Sequence, residues 1–382
     1  MKLASFIICL FLVSCVSNSG GNMPHNKYGD SVAFSLKEVN ISSSEILQLK
    51  DYPITGFIGS DSLQSIVGYN YRTHSLDKIR LDGNPSISSF QLSKEGPDGI
   101  FPRVKSICPV SDDSIWVYDG TFISLLNNCG EICHKISFPS DVQVLLETNY
   151  AMHTAKLCYD REKASLYYPV LRADSVCVEE YDLSKDTVAR SYFLKPSLLN
   201  PDNVAEYGDL RFPNVNVVNG KIIYNYPYES TIYILDMKNE KYYEIGAASN
   251  YTSNAAPQCD SKTDYSVWQR YGLENTHFYD VMYLPDLQIY ARFHIEGKSL
   301  SASEKLTQSF LDSKSLYLML FDSDFHIIGE TKMKVHTYSP FTSWCALSNA
   351  ISLFKNNSLS DSLDYEVLSL DLILPDKLTN KI

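Results

Sequence analysis

Cys129-x-x-x-Cys133-His134 gathers two thiols and an imidazole, the groups that ligate soft metals or pair as a disulfide. Zinc takes four ligands, and no second Cys/His pair follows at a suitable spacing, so no metal site is nominated. Cys129 and Cys133 flank a three-residue turn. They read either as a disulfide across a hairpin, which an exported protein can oxidise, or as two free thiols. The 8 histidines are scattered, none paired at i, i+2 or i, i+4. Of these, His153, His277 and His336 fall at the starts of strand-like runs. Glu179 and Glu180 are adjacent on a strand and point to opposite faces, so they form no acid/base dyad. No phosphate loop, zincin helix or nucleophile elbow is present. Gly96-Pro97-Asp98-Gly99 lacks the Lys-Ser/Thr of a nucleotide loop and reads as a turn. No catalytic residue and no cofactor is therefore assigned.

One stretch carries recognition chemistry. Residues 249–276 hold Tyr251, Tyr265, Trp268, Arg270 and Tyr271, and aromatic faces that stack beside fixed guanidinium donors suit interfaces and sugar sites. Arg211 (in Arg211-Phe212-Pro213) and Tyr228 (in Tyr226-Pro227-Tyr228) extend the same candidate rim. The competing reading is a loop packed on the surface of the fold.

The elements that must hold these residues are strands. Helical periodicity is nearly absent, while short β runs recur: 62–70, 76–81 and 87–92; 104–110, 114–118, 122–126 and 132–138; 155–159, 165–171, 176–183 and 188–194; 214–218, 221–226, 231–237 and 241–245; 278–283, 289–295, 316–321 and 327–333; then 350–354 and 365–374. Asn219-Gly220 between two of them is a strong hairpin signal. A short helix is expected over 303–311. Four-stranded groups recurring every ~35–55 residues are the mark of a β-propeller, in which each small sheet buries its faces against its neighbours. The fold expected is all-β: a propeller of six blades, with seven the alternative, or else a pair of β-sandwiches. The last group is one strand short, and 31–41 is the run left over to close the ring. His153, His277 and His336 would then line the central channel. Cys108, Cys158, Cys177, Cys259 and Cys345 read as small core residues.

Composition bounds the rest. In 382 residues, 44% are hydrophobic and 20% charged, too apolar for disorder and too interrupted for a membrane bundle. Lys+Arg 33 against Asp+Glu 45 gives a net charge of −12, which disfavours nucleic acid as a partner. Residues 1–15, MKLASFIICLFLVSC, pair a short positive start with an apolar stretch too short to span a bilayer. Leu12-Val13-Ser14-Cys15 resembles the bacterial lipobox. That resemblance implies cleavage before Cys15, diacylation of its thiol and acylation of its new amino group. Residues 1–14 are thus read as a signal peptide, 15–29 as a flexible tether and 30–382 as one propeller domain.

Lys94-Glu95-Gly96-Pro97-Asp98-Gly99-Ile100 resembles the junction after the first blade in Bacteroidetes lipoproteins of a domain-of-unknown-function family, similar in style to TolB-like propellers. Ile115-Trp116-Val117-Tyr118-Asp119 and Ile232-Tyr233-Ile234-Leu235-Asp236 are similar to the third strand of those blades. The family implies a fold and an envelope location, and no activity. Asp-Ser/Thr-apolar triplets such as Asp113-Ser114-Ile115 and Asp186-Thr187-Val188 resemble the O-glycosylation triplet of exported Bacteroidetes proteins, and equally suit turns that start strands. The function expected is a membrane-anchored, non-catalytic binding or scaffold propeller for a protein or glycan, acting as a monomer. The alternative is a glycan hydrolase or lyase with its site in the channel. Residues 16–21 carry no charge. Surface-bound lipoproteins of this group carry acidic residues there, so the resemblance implies an outer-membrane protein facing the periplasm.

Overall fold

The computed structural model describes residues 33–41, 52–60, 63–81, 86–199, 204–300, 310, 313–333, 344–354 and 365–373. The signal peptide, the tether, His336 and, apart from Phe310, the helix expected over 303–311 lie outside these residues. Strand β1 is Ala33–Ile41. The first blade comprises β2 (Thr55–Ser60), β3 (Leu63–Asn70), β4 (Ser75–Arg80) and β5 (Ser86–Gln91). The second comprises β6 (Ser106–Ser111), β7 (Ser114–Tyr118), β8 (Phe122–Asn127) and β9 (Ile132–Ser137). Four short strands follow: β10 (Gln143–Val144), β11 (Glu147–Thr148), β12 (Thr154–Ala155) and β13 (Cys158–Asp160). Then come β14 (Ser165–Arg172), β15 (Ser175–Asp182) and β16 (Thr187–Phe193), which complete the third blade with β10 and β13. The fourth is β17 (Asn214–Val218), β18 (Lys221–Asn225), β19 (Ile232–Asp236) and β20 (Lys241–Ile245). Helix α1 (Tyr265–Glu274) leads into the fifth: β21 (His277–Leu284), β22 (Ile289–Ile295), β23 (Leu316–Phe321) and β24 (Ile327–Lys332). Strands β25 (Trp344–Ala346), β26 (Ala350–Phe354) and β27 (Tyr365–Ile373) end the chain's strand order.

The expected six or seven repeating blades are corrected to five, each built on four consecutive antiparallel strands. The remaining sheet is composite, ordered β1-β27-β26-β25, because the last three strands leave a fourth place that β1 fills. Ala33 pairs with Ile373 and Ile41 with Tyr365. The innermost strands follow one another in a ring, β2 beside β6, β6 beside β13, β17 beside β21, β21 beside β25 and β25 beside β2. An apolar cluster fills each gap between neighbouring sheets. Stacking of this kind removes from water the two faces that no small sheet buries alone.

Because successive strands of a blade alternate in direction, the two ends of the ring differ. One, the turn face, carries only tight connections. There Asn127, Asp182, Asp236 and Asp322 end third strands, and their side-chain oxygens accept from backbone N–H groups two residues on, at 2.9 Å in each case. This Asx-turn chemistry explains the Asp at the end of the third-strand pattern. Asp119, which resembled it, instead closes the second strand and caps the turn to β8. The opposite end, the loop face, takes every long connection between blades, including 92–105, 138–157, 194–213 and 246–276. In the first of these, Gly96 at φ +87 and the bond from Gly99 N–H to the Gly96 carbonyl (3.1 Å) make the turn read from sequence. Among the described residues no helix is long and apolar enough to cross a membrane.

Candidate functional site

The channel is held by contacts between its strands. Inner strands present Thr55, Cys108, Cys158, Asn216, Asp280 and Cys345. Several of these side chains bind the neighbouring sheet. Cys158 Sγ donates to Asn216 Oδ1 (3.5 Å), Asn216 Nδ2 to the Val281 carbonyl (3.1 Å), and Thr55 Oγ1 to the Trp344 carbonyl (3.1 Å). Lys156 reaches across to Asp280, Nζ to Oδ2 2.9 Å. Burial works against the Lys156 ammonium, but the Asp280 carboxylate outweighs it and raises its pKa above the ordinary lysine value. Burial pushes the Cys158 and Cys345 thiols up to about 11, so both are neutral and unreactive near pH 7.

Above that pair the loop-face end of the channel is closed by the chain itself. Strands β11 and β12 form a hairpin that adds to the inner edge of the fourth blade, with Ala155 parallel to Val215. Thr154 N–H donates to Asn214 Oδ1 (2.7 Å), and Leu157 N–H to Ser106 Oγ (3.0 Å). The tip residue Tyr150 crosses to the far side and packs on Trp344 (centroids 4.2 Å) and Tyr279 (5.8 Å). Helix α1 lies over this tip, since a Cβ at Gly272 would meet the Ala151 carbonyl at 3.3 Å. His153 immediately precedes β12 and His277 opens β21, and both are buried. His277 is pushed down to about 3 by burial, Lys314 and His153, and is neutral. Lys314 donates to the Leu273 and Asn275 carbonyls (2.7 and 3.1 Å), tying down the end of α1, and burial lowers it to about 7. Among the described residues no group of His, Cys, Asp and Glu could hold a metal ion.

The recognition residues divide. Residues 265–274, expected as loop, form α1, whose start is fixed by Asp264 accepting from Ser266 N–H (2.9 Å). Arg211 lies over the Trp268 ring at 4.8 Å, and Trp268 Nε1 donates to the Ser261 carbonyl (2.8 Å). Tyr265, one turn earlier on α1, is 59% exposed. Tyr271 and Tyr228 are not rim residues: Tyr271 is on the buried side of α1, donating to the Pro257 carbonyl (2.6 Å), and Tyr228 is buried in the same cluster, stacked on Tyr207 at 3.5 Å. They support the rim from below. Arg270 is held by Glu274 (3.0 Å) and the Leu300 carbonyl (3.1 Å). Tyr251 stands apart on the fifth blade, stacked on Tyr317 at 5.2 Å. Six of the nine large apolar side chains exposed among the described residues (Tyr71, Phe101, Leu198, Leu199, Tyr251 and Tyr265) lie on loop-face connections and none on the turns opposite, so exposed apolar surface gathers on the loop face.

Of the two readings of Cys129 and Cys133, the structure has the free thiols, both exposed. Cys129 sits at the turn tip, with its N–H on Asn127 Oδ1, while Cys133 lies on β9 with Sγ toward the Glu131 carbonyl. Sequence reasoning missed Lys156, Asp280, Lys314 and the buried Arg292. Arg292 donates to the Ser230 and Ala247 carbonyls (2.8 and 3.0 Å) and lies over Phe278 at 4.7 Å. It also missed His294–Glu330 (2.9 Å), the pair that anchors the connection through Thr252 and Asn250. Charged residues inside strands were the available signal. Their partners come from distant segments, so the pairing itself left none.

Comparison with known proteins agrees with the fold. The profile of a domain of unknown function, DUF4221, matches residues 25–332. A crystal structure of a DUF4221 member from Bacteroides vulgatus superposes with a TM-score of 0.72 at 15% identity, covering 91% of this chain and 99% of that one. A candidate exported protein from Bacteroides fragilis gives a TM-score of 0.55 at 10% identity, covering 91% and 97%. No curated protein matches.

Proposed function

The chain belongs to the DUF4221 family, and from its closed channel and aromatic loop face we propose that it is a non-catalytic binding or scaffold propeller of the cell envelope, engaging a protein or glycan partner. The observation that carries this reading is the Arg211–Trp268 stack beside exposed Tyr265, set on a helix that is capped at both ends and backed by buried tyrosines. A rigid aromatic surface with fixed donors loses little entropy on binding. The alternative of a glycan hydrolase needs paired carboxylates at an open site, and a lyase needs a general base within reach of its substrate. In the channel the carboxylate of Asp280 is neutralised by Lys156 beneath a plug.

Location follows from the other end of the chain. Cys15 is read as the lipidated residue, with 1–14 removed, 15–29 as tether and 30–382 as a single domain. The composite sheet would close the ring between the fifth and first blades. The anchor would be in the outer membrane and the propeller in the periplasm, as a monomer. The export suggested by the name of the Bacteroides fragilis neighbour supports an envelope setting. Cys15→Ala should abolish lipid labelling and membrane retention; unchanged labelling would refute the anchor. Tyr265→Ala with Arg211→Ala should abolish capture of the partner from native envelope while leaving the fold intact.

A further inference from the structure

We infer that the turn face is the membrane-proximal side of this propeller, so that the loop face and its aromatic surface are held away from the bilayer. This rests on the reading of Cys15 as the anchor. The direction of β1 decides it. In the composite sheet β25 descends from the loop face, β26 returns, and β27 descends again, as antiparallel pairing requires. β1 pairs antiparallel with β27, and its first residue, Ala33, lies beside Ile373 at the turn face. The chain from Cys15 therefore enters the ring at the turn face, on the outermost strand, and climbs to the loop face at Ile41.

Length makes this direction consequential. A random coil as long as the 17 residues that separate Cys15 from Ala33 in the sequence would have a root-mean-square span of about 20–25 Å. β1 has 9 residues, so the loop face stands ~30 Å further from the anchor than the turn face. Bringing the loop face to the lipid would stretch the tether past its mean span and along the whole flank of the ring. The turn face is acidic, with Asp112, Asp113, Glu162 and Asp324 among its turns. At ~20 Å of stand-off its repulsion from anionic lipid is screened within a Debye length of ~8 Å and does not turn the molecule over.

The test uses full-length acylated protein in phosphatidylethanolamine/phosphatidylglycerol vesicles carrying a headgroup-linked energy-transfer acceptor. A donor on Cys129, exposed on the turn face, in a Cys133→Ser background is compared with a donor on Gln269→Cys in α1, in a Cys129→Ser, Cys133→Ser background. Transfer to lipid should be higher at Cys129 by about twofold or more, given the ~30 Å difference in height. Equal or reversed transfer in protein that floats with the vesicles would overturn the orientation alone. Protein that does not float, or that floats as well when Cys15→Ala, would overturn the anchor and the orientation with it.

Discussion

Lys156, in the short link between β12 and β13, and Asp280, on β21 of the fifth blade, meet at 2.9 Å and tie that link to the fifth blade. Asp280 is 1% exposed and Lys156 20%, so the carboxylate is dry while the ammonium keeps some access to water. Removing one partner leaves a buried charge uncompensated. Lys156→Met should therefore lower stability by about 3–5 kcal/mol, and adding Asp280→Leu should restore most of it. Urea midpoints of the single and double variants check this. A loss below ~1 kcal/mol in Lys156→Met would mean the pair is solvated in solution.

Tyr150 separates packing from hydrogen bonding. Its hydroxyl has no protein partner, while its ring fills the gap between Tyr279 and Trp344. Tyr150→Phe should leave the thermal midpoint unchanged or raise it slightly, and Tyr150→Ala should cost about 3–5 kcal/mol. Equal losses in both variants would show that the hydroxyl, not the ring, holds the plug.

The acid limb of stability should report His277. Above pH ~6.5 the imidazole is neutral in folded and unfolded chains and contributes no slope. Between ~6.5 and about 3 the unfolded chain takes a proton that the buried ring refuses, so stability falls as pH falls. The contribution is up to ~1.4 kcal/mol per pH unit. His277→Leu should flatten the decline in urea midpoint between pH 7 and 5, with the lowered His153 and His294 keeping part of it. An unaltered slope would place the titration elsewhere.

Gly208 fixes the floor of the rim. It sits at φ +50, and a Cβ there would come within 3.1 Å of the Trp268 ring. Gly208→Ala should cost about 1–3 kcal/mol and shift tryptophan emission to the red. Trp116 and Trp344 are buried at 2% and 0% exposure, so such a shift would come from Trp268. Unchanged emission would show that the helix does not rest on this turn.

The strands were legible because their turns are local: Asn219-Gly220, with positive φ at both residues, marks its hairpin without help from the rest of the fold. β2 was missed for the opposite reason. Its two glycines weaken any strand pattern, and Gly56 is explained only by Pro109, whose Cδ would lie 2.3 Å from an added Cβ. Helix α1 had a readable cap in Asp264 and apolar residues Val267, Trp268 and Tyr271, but it is short and stands amid β runs. Of the rim, the aromatic composition was visible in sequence. Which tyrosines face water was not, because Tyr228 and Tyr271 are buried by contacts with residues far along the chain.

Under the proposed function, recognition belongs to the loop face and the channel performs no chemistry. Envelope extract and immobilised glycans would be presented in parallel to the intact protein, to Tyr265→Ala/Arg211→Ala, and to a turn-face control, Lys163→Ala/Lys238→Ala. One ligand should bind the intact protein and the control with equal affinity, bind the loop-face variant at least ~10-fold more weakly (about 1.4 kcal/mol), and be released unmodified. A ligand held equally by the loop-face variant, or a glycan cleaved by the intact protein and spared by Asp280→Asn, would contradict the account.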